Sequence, residues 1–241
     1  MTDLTGKIVL VTGASRGIGY QAALEAARRG AHVIAVARTV GGLEDLDDAI
    51  KQAGGSSTLV PLDLREGDGI DRLGRVIFDR WGHLDGLIGN AGQLGVITPV
   101  PHLDVKDFDN AFAVNVTANY RLIRSMDLLL RQSEAGRAVF VSSSSSHSGN
   151  AYWGAYAASK SALEALVKSY ASELISTPVR INVFWPGAVR TAMRAKAMPG
   201  EDPETLPKPA EVAPTLVDMI TPGFADTRMI FDYPTASLIP L

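Results

Sequence analysis

Seven short apolar runs alternating with helical stretches restrict this chain to one class of fold. The runs are residues 8–11, 32–37, 58–62, 84–89, 138–141, 179–185 and 228–231. They are rich in β-branched residues and lack the in-out polar alternation of a half-solvated strand, so they read as strands covered on both faces. Helical segments lie between them: one ending near Arg29, a polar one at 43–53, and others at 70–81, 105–131, 156–174 and 209–220. Gly30 and the pair Gly54-Gly55 stop two of these helices. Strands alternating with helices form βαβ units, and right-handed crossovers build them into a doubly wound α/β sheet, here of about seven parallel strands. Such a sheet carries its site at the strands' C-terminal ends. Gly13, Arg38, Asp63, Asn90, Ser143 and Pro186 each fall just past one of those ends.

The totals narrow the partners. With 241 residues, 46% of them apolar, the chain has enough material for one sizeable core, and no repeat or linker divides it, so residues 1–241 read as a single domain. The serine run at 142–146 has the composition of a linker, but its place between a buried strand and a helix makes it a site loop. A net charge of −3 gives no global attraction to nucleic acid or anionic lipid, and neither is expected as a partner. No apolar run reaches the roughly 18 residues of a membrane span. Residues 1–7 have no apolar core and lead into the first strand, so no signal peptide is read and a cytoplasmic location is expected. The absence of cysteine removes disulfides and thiolate metal sites, and no metal is expected.

The turn after the first strand reads Thr12-Gly13-Ala14-Ser15-Arg16-Gly17-Ile18-Gly19. Three glycines in seven residues, between a buried strand and a helix, let the backbone approach a pyrophosphate whose charge rests on the helix N-terminus. The same letters match the G-x-S-x-G elbow of serine hydrolases, but such an enzyme needs a histidine in a later loop, and His83, His102 and His147 offer no helpful context. A triphosphate-binding loop would need Gly-Lys-Ser/Thr, which is absent. At the end of the second strand an acid would hydrogen-bond a ribose 2′-hydroxyl, whereas this chain has Val36-Ala37-Arg38. Arg38 and Arg16 offer two guanidinium groups to a 2′-phosphate, so NADP(H) is expected in preference to NAD(H).

Residues 139–160 hold the chemistry. Tyr156 and Lys160 are four apart in a helix and so act on one site. A free tyrosine titrates near 10, too high for acid-base work at neutral pH, and a lysine cation one turn away favours the phenolate. A serine at the end of the fifth strand faces the pair and can hold a substrate oxygen. Asn115, inside the long helix, is a candidate to anchor a water chain to Lys160. Singly these residues recur by chance; in this order, after a glycine turn, they equip the chain to move a proton to or from an alcohol oxygen.

These motifs, with Asp63, Asn90-Ala91-Gly92 and Pro186-Gly187 followed by Thr191, resemble the short-chain dehydrogenase/reductase family over most of the chain. The resemblance implies a single-domain Rossmann fold and hydride transfer between a nicotinamide and a carbonyl or alcohol. It assigns Asn115, Ser143, Tyr156 and Lys160 to catalysis. The family places its serine 13 residues before its tyrosine, which selects Ser143, with Ser142 and Ser144 as register alternatives. The cofactor-binding set it implies is Gly13, Ser15, Arg16, Gly17, Ile18, Gly19, Arg38, Asp63, Leu64, Asn90, Ala91, Gly92, Tyr156, Lys160, Pro186, Gly187, Val189 and Thr191. In it Asp63 lies by the adenine, Lys160 contacts the nicotinamide ribose, and Val189 and Thr191 hold the carboxamide. It further implies a homo-oligomer, tetramer or dimer, joined through the helices of Asn115 and Tyr156. The sequences at 153–160 and 190–195 are similar to a bacterial subgroup labelled 3-oxoacyl-(acyl-carrier-protein) reductases, which makes an acyl thioester one candidate substrate. Many relatives end the seventh strand in Gly-Gly, where this chain has Asp232-Tyr233-Pro234.

Residues 188–208, rich in Met, Pro and charge, are expected to form a mobile lid over the substrate. Leu94, Tyr152, Trp153, Met193 and Met198 are candidates for an apolar pocket, and Arg190, Arg194 and Lys196 for contact with an anionic substrate or carrier. An NADPH-binding redox sensor without turnover is the alternative, and the intact proton-transfer set argues against it. A nucleotide-sugar epimerase or dehydratase would share the Tyr-Lys pair, but about fifty residues after Arg190 leave little room for its substrate domain.

Overall fold

The first strand, β1 (Ile8–Thr12), is buried along its whole length, and its residues divide between two cores. Val9 and Val11 pack on one side of the sheet, Ile8 and Leu10 on the other. This is the period-two division of a strand with helices on both faces. The computed structural model describes residues 3–241. Its sheet also contains β2 (His32–Ala37), β3 (Ser56–Pro61), β4 (Gly86–Gly89), β5 (Arg137–Val141), β6 (Arg180–Trp185), β7 (Met229–Asp232) and β8 (Ser237–Pro240). The order is β3-β2-β1-β4-β5-β6-β7-β8, parallel up to β7. The chain reverses direction across the sheet between β1 and β4, which opens a crevice at their C-terminal ends.

Helices α1 (Gly17–Arg28), α2 (Val40–Gln52) and α9 (Pro209–Asp218) cover one face. Helices α3 (Gly67–Trp81), α5 (Ala118–Gln132) and α7 (Gly154–Glu173) cover the other. Side chains set the interstrand fit. Gly89 is paired with Phe140, and a β-carbon on Gly89 would stand 2.5 Å from Phe140 Cδ1, so the fully buried ring fills that space. Cutting Phe140 back to alanine would cost about 3–5 kcal/mol.

Three features differ from the sequence expectation. The sheet has eight strands: β8 folds back antiparallel onto β7, pairing Asp232 with Ser237 through a tight turn in which Ala236 takes φ 50°. Four residues ending in proline give too little pattern to be read as a strand, and on the sheet edge the proline is tolerated. β3 begins earlier than expected, because the His32 ring contacts Ser56 Oγ at 2.8 Å and Thr58 Oγ1 at 2.9 Å and fastens polar residues to β2. The segment expected as one helix at 105–131 is α4 (Val105–Phe112), a π turn over Ala113–Thr117, and then α5. Among the described residues the remaining short helices are α6 (Ser145–Ser148), α8 (Ala192–Ala197) and two 3-10 turns, Val100–His102 and Pro203–Thr205.

Candidate active site

The crevice between β1 and β4 is held by one threonine. Thr12 is fully buried, and its hydroxyl accepts from the backbone N–H of Asn90 at 3.0 Å and of Ala91 at 3.1 Å. In return Asn90 Nδ2 donates to the Thr12 carbonyl at 2.9 Å. The glycines make this contact possible. Gly13 has φ 67°, and a β-carbon there would lie 2.9 Å from Asn90 Nδ2 and 3.0 Å from Ala91 Cα. One on Gly19 would run into the Gly13 carbonyl oxygen and Asn90 Nδ2. Gly17 (φ 63°) opens α1 and faces Thr191 across the turn. Ser15, Arg16 and Ile18 complete the loop, with Arg16 exposed at the helix N-cap. The Asn90 side chain therefore braces the glycine turn, and Thr12, named in the sequence only as a motif letter, is its partner.

At the ends of β2 and β3, Arg38 is exposed and 3.9 Å from Asp63. Asp63 is gripped more closely by Arg65, whose Nη2 lies 2.6 Å from Oδ2. Those hydrogen bonds from Arg65 lower the Asp63 pKa below the ordinary carboxylate value. Leu64 is buried beside them. Arg65 was not singled out in the sequence; its position two residues after the strand-end acid is the one signal it offers.

The residues expected to transfer a proton meet where β5 ends beside α7. Tyr156 and Lys160 lie on the inward face of α7, and Ser143 stands two residues past β5. Tyr156 is almost wholly buried, and burial pushes its phenol up to about 12, opposed by a hydrogen bond with Ser143. Lys160 is buried as well, which pulls its ammonium down to about 8 against the opposing charge of Glu164. Its Nζ donates to the Val141 carbonyl at 2.8 Å and lies 5.7 Å from the centre of the Tyr156 ring. Burial thus acts on the phenol more strongly than the neighbouring cation. Of the five serines, Ser143 is the one whose hydroxyl acts on the Tyr156 phenol, while it also accepts from Ser145 Oγ at 2.8 Å; Ser142 turns to Glu164 at 2.5 Å and Ser144 is exposed.

Asn115 sits in the π turn with no solvent exposure. Its Oδ1 accepts from Gln93 N–H at 2.7 Å, and its Nδ2 donates to the Gln93 carbonyl and to Ser159 Oγ, both at 2.9 Å. The side chain therefore joins the loop after Gly92 to α7. A β-carbon on Gly92 would stand 3.5 Å from both Asn115 Oδ1 and Lys160 Nζ, which brings the loop, the π turn and the lysine to one place. Single π turns inside helices are frequent at functional sites.

After β6, Pro186 and Gly187 turn the chain; Gly187 has φ 70°, and a β-carbon there would meet Pro234 Cγ at 2.5 Å. The Asp232-Tyr233-Pro234 departure thus packs against this turn. Val189 is buried, and the Thr191 hydroxyl accepts from Arg194 N–H at 3.1 Å, capping α8. Arg194 pairs with Glu201 through both Nε and Nη2 at 2.6 Å, and Arg190 with Glu204 at 2.6 Å. Both arginines read as anion contacts are engaged with acids of their own segment, and Lys196 is exposed. Among the pocket candidates Leu94 is buried; Trp153 lies edge-on to Tyr156 at 5.8 Å; Tyr152, Met193 and Met198 are exposed. Tyr152 takes φ 72°, an uncommon conformation for a bulky residue. Among the described residues no cluster of metal-ligating side chains occurs, and no helix is long and apolar enough to cross a membrane.

Comparison with known proteins agrees with this geometry. The family model described as short chain dehydrogenase matches residues 7–202. The chain is 39% identical over 214 residues to the uncharacterized oxidoreductase YciK of Escherichia coli K12, covering 88% of this chain and 84% of that one. It is 34% identical over 196 residues to a fatty acyl-CoA reductase of Acinetobacter baylyi, covering 80% of this chain and 66% of the other. A short chain dehydrogenase from Shigella flexneri 2a, complexed with NADP, superposes with TM-score 0.92 at 38% identity over 96% of this chain and 99% of that chain.

Proposed function

The chain belongs to the short-chain dehydrogenase family, and from that premise we propose that it is an NADPH-dependent oxidoreductase acting on a carbonyl/alcohol substrate, with Tyr156 as general acid and base. The observation that carries this reading is the convergence of Ser143, Tyr156 and Lys160 at the sheet edge that also bears the glycine turn.

The residues present fit the cofactor. Gly13, Gly17 and Gly19 form a cradle that β-carbons would fill or strain, at the N-terminus of α1. Arg38 follows β2 where an acid would otherwise select NAD(H), and both it and Arg16 are exposed to receive a 2′-phosphate. The NADP complex of the Shigella flexneri relative supports the same preference. Asp63 and Leu64 would border the adenine, and Ala91, Gly92, Pro186, Gly187, Val189 and Thr191 the nicotinamide end. When bound, NADPH supplies the hydride.

The chain's own residues would do the rest. Ser143 holds the substrate oxygen, and Tyr156, whose buried phenol keeps its proton at neutral pH, delivers that proton as the alcohol forms. Lys160, fixed by the Val141 carbonyl, supplies positive charge beside the ring and contacts the nicotinamide ribose. Asn115 keeps the loop after Gly92 in register with α7. Residues 188–208 act as the lid, held by the Arg190–Glu204 and Arg194–Glu201 pairs. Because those arginines are already paired, we favour an apolar carbonyl over a strongly anionic one. A 3-oxoacyl thioester stays in the panel because a fatty acyl-CoA reductase is among the relatives. Assembly through α5 and α7 is part of the reading; Tyr120 and Leu128 stand exposed on α5, and light scattering would measure the state.

NADPH oxidation over a panel of aldehydes, ketones and a 3-oxoacyl thioester tests the proposal. Turnover of at least one class is expected. Tight NADPH binding with no turnover of any would replace the enzyme by a sensor.

A further inference from the structure

One buried carboxylate has no part in the proton-transfer scheme above. Glu164 lies one helical turn beyond Lys160 on α7 and is 4% exposed. Four polar side chains converge on it, and the Ser146 hydroxyl divides its proton between this carboxylate and the Ser143 carbonyl. Its Oε1 accepts from Ser142 Oγ at 2.5 Å, Trp185 Nε1 at 2.8 Å and Ser146 Oγ at 2.9 Å. Its Oε2 meets His147 Nε2 at 2.8 Å. An indole N–H and a serine hydroxyl donate to it, and a carboxylate oxygen is the acceptor that suits such a cluster. Burying an anion costs several kcal/mol, whereas the neighbouring inward positions Leu163 and Val167 contribute apolar packing with no such penalty.

The donors come from particular places. Ser142 and Ser146 lie on either side of Ser143, so the carboxylate grips the serine turn at both flanks of the residue that acts on the Tyr156 phenol. Trp185 is the last residue of β6, and its ring also lies 5.5 Å from that of His147. Glu164 therefore ties β6 and the turn after β5 to the helix that carries Tyr156 and Lys160. We infer that Glu164 is a positioning residue of this site, a buried anionic clamp that fixes the serine turn carrying Ser143 against the helix of Tyr156 and Lys160. The inference rests on the reading of those three residues as the proton-transfer set.

The charges around the pair are few. Glu164 meets His147 from the turn and the neutral Trp185 from β6; Lys168, one turn further along α7, is exposed. Lys160 is bordered by the Tyr156 ring, the Val141 carbonyl and Gly92, none of them a carboxylate. Glu164 is the charge that opposes the effect of burial on the lysine.

Glu164→Gln keeps the size and one acceptor oxygen and removes the charge. Loss of a nearby anion makes proton release easier from Lys160. The basic limb of the kcat/KM profile for NADPH-dependent reduction should thus move to lower pH by about one unit. Amide exchange across residues 142–148 should quicken several-fold, with the strands unchanged. Glu164→Asp retains the charge with a shorter reach, so its limb stays in place while kcat falls and the turn still exchanges faster. A Glu164→Gln profile that is only scaled down, with an unmoved limb and unaltered exchange at 142–148, overturns the inference. If the wild type reduces no carbonyl in the panel, the functional reading fails, and exchange at 142–148 alone decides the clamp. Should Glu164→Gln not fold, the exchange measurement on Glu164→Asp decides it in the same way.

Discussion

Replacing Thr12 by valine isolates the joint that holds the cofactor crevice together. Valine keeps the β-branched shape that a buried parallel strand favours and removes only the hydroxyl. That hydroxyl accepts from two backbone amides, Asn90 at 3.0 Å and Ala91 at 3.1 Å, in a position with no solvent exposure. Each amide deprived of its acceptor costs about 1–1.5 kcal/mol, so the pair together costs about 2–3 kcal/mol. For a domain of this size that lowers Tm by roughly 5–10 °C. The loss falls at the floor of the glycine turn, because the same Asn90 donates back to the Thr12 carbonyl. If about half of it is expressed as a misplaced cradle, NADPH affinity drops about tenfold. Thr12→Ser, which keeps the hydroxyl and gives up one methyl group, is the control and should lose about 1 kcal/mol with near-normal NADPH binding. Thermal unfolding and fluorescence titration with NADPH measure both quantities. Equal Tm values and equal affinities for the valine and serine variants would refute the reasoning.

Other substitutions probe the rest of the site. Tyr156→Phe should lower reduction about a thousandfold while NADPH affinity stays within a few-fold; near-normal turnover would remove Tyr156 from the acid role. Arg38→Asp puts a carboxylate at the end of β2, so kcat/KM with NADPH should fall about 10–100-fold while that with NADH holds or rises. Lys160→Met should abolish turnover and reveal a pH signature in stability. Below about 8 the folded lysine carries a proton in both states and the burial penalty is fully present; between about 8 and 10.5 it sheds that proton before the unfolded one does. Wild-type stability therefore gains over this window relative to the methionine variant, and the Tm difference narrows as pH rises. Tyr156, with its pKa raised, gives both proteins the same opposite slope above 10, and it cancels in the comparison. A Tm difference constant from pH 7 to 10 would contradict the burial of a charged lysine.

Much of this fold was legible because it depends on short-range patterns. A continuous β-branched run such as 8–11 can be satisfied only between two apolar layers, and seven of them alternating with helices leave one architecture. The glycine spacing and the Tyr156–Lys160 interval likewise encode backbone approach and a shared helix face, which are local properties. The serine run was legible only in part: its place at a strand end followed from the pattern, while the selection of Ser143 required the family's spacing. β8 escaped because an edge hairpin of four residues gains its stability from pairing with β7 rather than from its own composition. Asn115 was expected within an unbroken helix; the structure places it in a π turn, with its side chain bonded to Gln93 and Ser159, remote in sequence.

By itself, then, the sequence determined the order of the elements, the edge of the sheet on which the polar residues gather, and the types of group available for proton transfer. Those follow from periodicity, and periodicity is carried by neighbours in the chain. Only the tertiary structure decided how the groups are used. It turned the Asn90 side chain onto the glycine turn, engaged Arg190 and Arg194 with Glu204 and Glu201, and set burial above the nearby cation in acting on Tyr156. It also closed a ring of donors around Glu164, drawn from β6 and the serine turn. Each of these outcomes depends on distance, desolvation and hydrogen-bond competition between residues far apart in the sequence, quantities that exist only once the layers have packed.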